Sequence, residues 1–283
     1  MRAEVLLPVG CALGEGASAV NASEFWFVDI RAGQVHRASV DGSTAMHAQF
    51  DHTVSAVVPT MTGEVVVAGR QDVKILGEPN AVLTVPETDR NIRLNDGKAD
   101  PIGRFVVGSM AEPVRSSAGS LWSISNGECS KIVDNVTISN GLCWSADGST
   151  MFYIDTPTGH IDAFDYDLAT GKVSERRTVV TIEATHGSPD GMTIDADGGL
   201  WVALWDGSAV CRYLDGRLDQ VVDIPTPFVT SCTVVGTKLV VTTAREPNPD
   251  DPFSGHVFVA DIGIEAPLPH SVDRDLVFES AKP

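Results

Sequence analysis

The chain has 283 residues, of which 43% are hydrophobic, and its formal net charge is −18. This length allows one large domain or two small ones, and the apolar content is enough for a sizeable core. The acidic charge argues against nucleic acid or an anionic membrane as a partner, because either would require a basic face. It does not identify a substrate, since a neutral molecule and a metal cation both suit an acidic surface.

The amino terminus reads MRAEVLLPVG, with Glu4 in the charged region and only a short apolar run after it, so we expect no signal peptide. No segment approaches the length of a membrane-spanning helix. The five cysteines are an odd number and form no CxxC pair. That pattern indicates reduced thiols and a cytoplasmic protein rather than a disulfide framework.

Six similar segments follow along the chain. Each has a polar residue before a short apolar strand, then an acidic or glycine turn, then a second apolar strand. Consecutive segments start about 40 to 50 residues apart, at Glu15, Ser55, Asn95, Asn140, Asp190 and Ser231. This period is typical of four-stranded propeller blades, and no linker-like break interrupts it. The sequence therefore predicts an all-β fold, a single six-bladed β-propeller domain of antiparallel blades over residues 1–283.

Individual segments support this prediction. In the fourth segment, Gly- and Asp-bearing turns join four predicted strands, LCWS, MFYID, HIDAFDYD and SERRTVVTI. The sixth segment supplies only three strands, so we expect EVLLPV near the amino terminus to be the missing outer strand. Borrowing that strand would close the ring and protect its edges. We expect residues 246–255 to form a surface loop and the chain after Gly263 to be irregular.

A propeller brings equivalent positions together around one channel, so Glu15, Asn95, Asn140 and Asp190 are expected at the same end. Taken singly, the Asn-Gly and Asp-Gly pairs at 140 and 190 are ordinary turn dipeptides, and Glu15 is a solvated loop carboxylate. The hairpin turns of these segments fall later, however, at ADGS and ADGG. Converging carboxylates and carboxamides predict a hard oxygen site for Ca²⁺, Mg²⁺, Mn²⁺ or an open Zn²⁺ site.

Five segments also resemble the senescence marker protein 30, gluconolactonase and regucalcin family, and the resemblance covers essentially the whole chain in order. They are LGEG (13–16), RLNDGKADPIGRFVVGSM (93–110), SNGLCWSADG (139–148), SPDGMTIDADGGLWVA (188–203) and TSCTVVGTKLVVTTAR (230–245). The resemblance implies a six-bladed propeller with one divalent metal in its channel. It also implies hydrolysis of sugar lactones, which many members of the family carry out.

The resemblance implies that Glu15, Asn140 and Asp190 are metal ligands and that Arg93 and Asn95 contact the substrate. It assigns Asp190 the role of general base as well. The chain departs from the family pattern after GEG, where Ala17 and Ser18 replace a common Pro and Trp, and in residues 111–119. These departures leave the metal site intact and the sugar specificity open.

The leading hypothesis is a metal-dependent lactonase that opens an aldonolactone, with Ca²⁺, Zn²⁺, Mg²⁺, Mn²⁺ or Fe²⁺ as cofactor. The alternatives are phosphotriester hydrolysis and non-enzymatic calcium binding. We expect a small sugar lactone as partner, no nucleic acid or membrane, and a monomer.

The sequence leaves the roles of two further residues open and predicts a structural role for two others. His186 is either a loop residue or a proton donor to the leaving group, and Trp205 is either a pocket wall or a packing residue. We expect Asp96 and Lys98 to brace the blade rather than to contact substrate.

Overall fold

The computed structural model describes residues 1–80, 82–246 and 248–278. In these residues the strands form six four-stranded antiparallel sheets arranged in a ring, with almost no helix. The innermost strands of neighbouring sheets contact one another all the way around. The predicted six-bladed β-propeller is therefore confirmed. No helix in these described ranges is long and apolar enough to cross a membrane.

The strands are numbered in chain order. Each blade is given below from its inner to its outer edge, and the outer strand of blade 6 is β1. Blades 1 and 2 consist of β2 (Gly14–Ala19), β3 (Glu24–Asp29), β4 (Gln34–Ser39) and β5 (Thr44–Gln49), then β6 (Ala56–Pro59), β7 (Val65–Ala68), β8 (Asp72–Ile75) and β9 (Val82–Thr84). Blades 3 and 4 consist of β10 (Ile92–Ala99), β11 (Phe105–Ala111), β12 (Gly119–Ser125) and β13 (Glu128–Val136), then β14 (Ser139–Trp144), β15 (Thr150–Asp155), β16 (His160–Tyr166) and β17 (Val173–Thr181). Blades 5 and 6 consist of β18 (Ser188–Ile194), β19 (Leu200–Trp205), β20 (Ala209–Leu214) and β21 (Arg217–Asp223), then β22 (Val229–Val235), β23 (Lys238–Thr243), β24 (Val257–Asp261) and β1 (Glu4–Leu7).

The amino-terminal strand β1 closes the ring as the sequence predicts. It pairs antiparallel with β24, with Glu4 opposite Val259 and Val5 opposite Phe258. Just before β1, the N–H of Ala3 donates to the carbonyl of Asp223 in blade 5 at 3.0 Å. The first residues thus join the last blade to its neighbour, and the outer edge of β24 is paired.

The hydrophobic core is divided among the interfaces between blades. Six clusters of buried side chains lie one at each interface. Trp201 is fully buried between blades 5 and 6, and Tyr153 is 1% exposed between blades 3 and 4. Burial of one such large side chain stabilises the fold by about 1.5–3 kcal/mol. Because adjacent blades pack face to face in this way, the positions of the inner strands around the channel are fixed.

The chain after Gly263 differs from the prediction of irregular structure, because it includes a short helix α1 (Arg274–Phe278). Asp273 begins the helix, since its Oδ1 accepts from the N–H of Asp275 at 3.1 Å and of Leu276 at 3.2 Å. Val277 is completely buried in the cluster between blades 2 and 3. A capping carboxylate and one apolar anchor therefore order this segment locally. Within residues 246–255, the described part forms no strand, as expected.

Candidate functional site

The four residues predicted to converge lie near the beginnings of the inner strands. Each lies at the edge of, or within, a stretch where the pairing register shifts between the innermost strand of its blade and the neighbouring strand. The irregular stretches are Glu15–Ser18, Leu94–Gly97, Ser139–Leu142 and Pro189–Met192. A β-bulge leaves residues unpaired and turns a side chain away from the regular alternation. These bulges explain how adjacent polar residues can face the channel in otherwise apolar strands.

The Asn-Gly and Asp-Gly pairs are inside the inner strands, not before them as the sequence suggested. At Gly141, a Cβ atom would lie 2.7 Å from the carbonyl oxygen of Asp190 in the next blade. A side chain at this position would thus collide with the neighbouring backbone. The glycine is required for close approach of two inner strands, and this approach brings Asn140 and Asp190 toward each other.

A row of hydrogen bonds joins the predicted substrate residues to a predicted metal ligand. Nη1 of Arg93 donates to Oδ1 of Asn95 at 2.6 Å. Nδ2 of Asn95 donates to Oδ1 of Asn140 at 2.9 Å and to the carbonyl of Ser139 at 2.8 Å. All three of the predicted residues are 4–5% exposed. The structure therefore brings Arg93, Asn95 and Asn140 together across the interface of blades 3 and 4.

These bonds limit what Asn95 can offer to a substrate. A carboxamide has two N–H donors and one acceptor oxygen with two lone pairs. Both donors of Asn95 are used, and its oxygen accepts from Arg93. One lone pair on Oδ1 is left for a substrate hydroxyl. Asn95 therefore forms a direct hydrogen bond with Asn140, and it has only this one lone pair for a substrate.

Three buried carboxyl groups repel one another at this end of the channel. Burial, then the charge of Asp96, raise the pKa of Glu15 to about 8, although the Gly16 N–H and Arg93 act in the opposite direction. Burial, then the charges of Glu15 and Asp96, raise the pKa of Asp190 well above its ordinary value. Each of the three carboxyls is 6–7% exposed. Burial and mutual repulsion therefore favour the protonated forms of these carboxyls, and a cation bound beside them would favour the ionised forms.

Asp96 is the buried carboxyl of this group that the sequence interpretation did not place in the site. It was expected to brace the blade, but within the described residues its buried Oδ2 has no hydrogen-bond partner. Burial raises its pKa, while Lys98 and the N–H of Gly97 lower it. The signal that could have identified Asp96 is its place beside Asn95 in the irregular stretch of β10. Two consecutive polar residues in an apolar inner strand require such a bulge for both to leave the hydrophobic interface.

The donor atoms at this end fit a hard divalent cation. Oδ1 of Asp190 is buried and has no hydrogen-bond partner in the described part of the chain. Carboxylate and amide oxygens are the ligands that such cations prefer, and a positive charge would relieve the repulsion among the carboxyls. No three His, Cys, Asp or Glu side chains in the described ranges are grouped so as to hold a metal ion. A site here therefore depends on the amide oxygen of Asn140 in addition to carboxylates.

Arg93 lies between this polar end and the charged residues of the adjoining loops. Its Nε is 3.8 Å from Oε1 of Glu112, which also forms a salt bridge with Arg31. Burial lowers the pKa of Arg93, and Glu112 raises it. Among the described residues, Nε has no hydrogen-bond partner that satisfies normal geometry. Arg93 thus lies in an ion pair with Glu112, as a structural arginine would, and its Nε–H group is also available to a ligand.

The remaining candidates form other contacts. His186 is exposed at the end of a 3₁₀ turn that precedes β18. Trp205 packs against Phe228 with ring centroids 4.8 Å apart. Lys98 donates to the carbonyl of Met192 in blade 5, as expected of a residue that braces the fold.

A cavity of about 480 Å³ lies toward the opposite ends of the inner strands. It is lined by the later residues of β10, β14 and β18 and by residues 265–270 of the carboxy-terminal segment. None of the five predicted site residues lines it. Among the described residues, the cavity has one buried polar atom without a hydrogen-bond partner, Nε1 of Trp144, whereas the first end has four, on Ser55, Arg93, Asp96 and Asp190. Because such atoms are costly unless a ligand satisfies them, we place the candidate site at that end.

The fold and this acidic channel end define a class, the six-bladed propellers with a polar oxygen-rich site at the start of their inner strands. Residues 13–245 match the family model described as the SMP-30/Gluconolactonase/LRE-like region. The chain belongs to this family, and the resemblance stated from the sequence is confirmed.

Relatives with similar sequences and structures support this assignment. The chain is 36% identical over 293 aligned residues to regucalcin of Macaca fascicularis, with 96% of this chain and 98% of the relative covered. A luciferin-regenerating enzyme has a TM-score of 0.85 at 29% identity, with 94% and 97% of the two chains covered. A calcium-binding protein, regucalcin, of Agrobacterium tumefaciens has a TM-score of 0.84 at 25% identity, with 96% of each chain covered.

Proposed function

We propose that the protein is a divalent-metal-dependent hydrolase that opens a sugar lactone to its aldonic acid, as a gluconolactonase does. The observation that carries this proposal is the buried, unpartnered Oδ1 of Asp190, defined within the described residues, beside the carboxyls of Glu15 and Asp96. Membership in a family whose description includes gluconolactonase supports the reaction class. Polar groups on Arg93 and Asn95 next to the carboxyls support a polar substrate.

Glu15, Asn140 and Asp190 would hold the cation. When bound, it would polarise the carbonyl of the lactone and stabilise negative charge on that oxygen. The hydrogen bond from Asn95 orients the amide of Asn140 so that its oxygen can serve as a ligand. The charge of the cation also favours the ionised forms of Glu15 and Asp190, which burial and mutual repulsion disfavour.

Asp190 would act as the general base. As a water molecule attacks the carbonyl carbon, its O–H bond breaks and the carboxylate of Asp190 takes the proton. The bond between the carbonyl carbon and the ring oxygen then breaks, and the ring oxygen takes the proton back from Asp190 to become the hydroxyl of the aldonic acid, which restores the Asp190 carboxylate. A carboxylate oxygen that donates strongly to a cation is a weak base, so the proton would go to the oxygen less committed to the cation.

Arg93 and Asn95 would position the sugar. Nε of Arg93 is a donor without a partner in the described ranges, and Oδ1 of Asn95 keeps one lone pair for a hydroxyl. Holding the ring against these groups would keep its carbonyl carbon near Asp190, which lowers the entropic part of the barrier. Oε1 of Glu112, 3.8 Å from Nε of Arg93, carries the opposite charge and favours this position of the guanidinium group.

The test is proton release, followed with a pH indicator, across a panel of aldonolactones. Chelator-stripped protein is compared with protein restored by Ca²⁺, Mg²⁺, Mn²⁺, Zn²⁺ or Fe²⁺, with calcium first because the Agrobacterium relative is described as calcium-binding. We expect metal-dependent turnover above the spontaneous rate. Stoichiometric metal binding without turnover of any lactone would contradict the proposal. A parallel panel of phosphotriesters would then separate the other hydrolytic hypothesis from calcium binding without catalysis.

A further inference from the structure

We propose that Thr156 is a positioning residue that fixes the orientation of the Asn140 amide and ties it to the chain entering Asp190. The inference rests on the proposed function, because it concerns the residues that would hold the cation. Thr156 begins the 3₁₀ turn Thr156–Thr158, which connects β15 to β16 at the site end of blade 4. It lies outside the inner strands and outside the motifs that indicated the site from the sequence.

The hydroxyl group of Thr156 contacts both neighbouring ligand segments. Nδ2 of Asn140 donates to Oγ1 of Thr156 at 2.7 Å. The hydroxyl of Thr156 in turn donates to the carbonyl oxygen of Pro189 at 2.8 Å. Pro189 immediately precedes Asp190, so one hydroxyl connects a predicted ligand of blade 4 with the backbone that leads into a predicted ligand of blade 5.

The direction of these hydrogen bonds is determined by the carbonyl of Pro189. A backbone carbonyl can only accept, so the single hydroxyl hydrogen of Thr156 is used for that bond. Oγ1 of Thr156 then has only lone pairs to offer, and Asn140 must present its NH₂ group. The amide oxygen consequently faces away from Thr156, toward Nδ2 of Asn95 at 2.9 Å. A reversed amide would set two acceptors against each other at Thr156 and two donors against each other at Asn95.

The position of Thr156 is itself held by the preceding residue. The carboxylate of Asp155 accepts from the N–H groups of Thr137 and Ile138 at 2.9–3.2 Å, and Asp155 is 9% exposed. These bonds attach the end of β15 to the segment that enters β14. The N–H of Thr156 also donates to the carbonyl of Ile138 at 3.1 Å. The hydroxyl is therefore presented to Asn140 from a rigid support.

The experiment measures binding of the metal alone to chelator-stripped protein by calorimetry, with Ca²⁺ and Mn²⁺ in separate titrations. Thr156→Val keeps a similar shape and removes both the donor and the acceptor. Changes to residues that orient metal ligands usually weaken metal affinity by about 10- to 100-fold, and we expect a loss in this range. Thr156→Ser retains the hydroxyl and should restore most of the affinity.

Thr158→Val is the matched control in the same turn. The hydroxyl of Thr158 donates to the carbonyl of Asp155 at 2.8 Å and accepts from the N–H of His160 at 3.2 Å. It contacts no predicted ligand. Since its bonds are local to the turn, we expect the metal affinity of this variant to stay within about threefold of the wild type.

Several outcomes would overturn the inference. Wild-type metal affinity in Thr156→Val would do so. Equal losses of metal affinity in Thr156→Val and Thr158→Val would also do so, because the integrity of the turn would then explain both. If Thr156→Val does not fold, Thr156→Ala replaces it, and a lower melting temperature with unchanged metal affinity would show a purely structural role. A wild-type protein that binds no metal would overturn the proposed function too, whereas metal binding that is insensitive to Thr156 would overturn this inference alone.

Discussion

Nδ2 of Asn95 in blade 3 lies 2.9 Å from Oδ1 of Asn140 in blade 4 and donates a hydrogen bond to it. This bond links a residue expected to contact substrate with a residue expected to bind metal. Arg93 extends the row on one side and Thr156 on the other. Substrate and metal residues thus form one network across blades 3 to 5, and variants of residues that bond each other directly should not behave independently.

Asn95→Leu should weaken both metal binding and catalysis. The substitution removes the donor that orients Oδ1 of Asn140 and the acceptor that holds Arg93. We expect metal affinity to fall by about 10-fold or more, by the usual effect of a residue that orients a ligand, and kcat/KM to fall with it. Calorimetry with the metal alone and lactone turnover at saturating metal check the two effects. Unchanged metal affinity would mean that Asn140 keeps its orientation without Asn95.

Arg93→Met should affect the substrate and leave the metal. The variant keeps the aliphatic stem and removes the donors, of which Nε has no partner in the described part of the chain. Loss of one hydrogen bond from a charged group corresponds to a decrease in kcat/KM of about 10- to 100-fold. Metal affinity should change by less than about threefold, since Arg93 contacts Asn140 only through Asn95. A loss of metal as large as in Glu15→Ala would contradict this role.

Asp190→Asn should abolish turnover and stabilise the metal-free protein. The variant removes a buried carboxyl whose charge is opposed by burial and by Glu15 and Asp96. We expect a loss of at least about 100-fold in kcat, because a general base contributes that much. In metal-free protein at pH 8 we expect a melting temperature about 2–4 °C higher, which corresponds to about 1 kcal/mol in a chain of this size. Full activity would exclude Asp190 as the base.

The sequence was sufficient to predict the propeller and the convergence of Asn95 with Asn140 in its channel. Repeats of paired apolar strands determine the blades, and the ring then brings together Asn95 and Asn140, whose hydrogen bond the structure contains. The lack of a hydrogen-bond partner for Oδ2 of Asp96 among the described residues was not anticipated, because alternation in a regular strand would turn two consecutive residues to opposite faces. The register shift in β10 removes that constraint, and no simple residue pattern predicts such a shift.

Thr156 was also beyond sequence reasoning, for a different reason. It lies 16 residues after Asn140 and 33 before Pro189, and its contacts depend on how far apart blades 4 and 5 pack. Repeats indicate which positions are equivalent, whereas a hydroxyl reaching across an interface depends on distances of a few tenths of an ångström. Short turns between strands therefore contribute site residues that periodicity does not mark.

The thiols should differ strongly in reactivity. Burial raises the pKa of Cys143 and Cys232 to about 12, and it also raises that of Cys129, which is only half-buried. Reaction with a disulfide reagent requires access and the thiolate. At pH 8 we expect Cys129 to react first in the native protein and Cys143 and Cys232 to react only on unfolding. Mass spectrometry of partially labelled protein locates the first site, and Cys129→Ser should remove the earliest phase.

Asp195→Asn should destabilise the fold in a pH-dependent way. The completely buried carboxylate of Asp195 accepts from Nε of Arg212 at 2.7 Å and from Nε1 of Trp201 at 2.8 Å. Burial alone would raise the pKa of Asp195, but the hydrogen bonds from Arg212, Gly199 and Trp201 lower it overall. Breaking one partner of a buried ion pair costs about 3–5 kcal/mol, and we expect a loss near the lower value at pH 7.

The pH dependence of that loss follows from the lowered pKa of Asp195. A carboxyl with a lowered folded-state pKa stabilises the protein above its unfolded-state pKa of about 3.9, and this contribution disappears as the pH falls through the folded-state pKa. The difference between wild type and Asp195→Asn should therefore be constant from pH 5 to 7 and shrink below about pH 4. Urea unfolding of both proteins at pH 7 and below pH 4 measures this change in the difference. Asp197→Asn is the control, because its side chain is 69% exposed and lies 3.6 Å from Arg212, so its effect should be below about 0.5 kcal/mol. Equal losses in the two variants would show that the surrounding turn, rather than the buried ion pair, determines the stability.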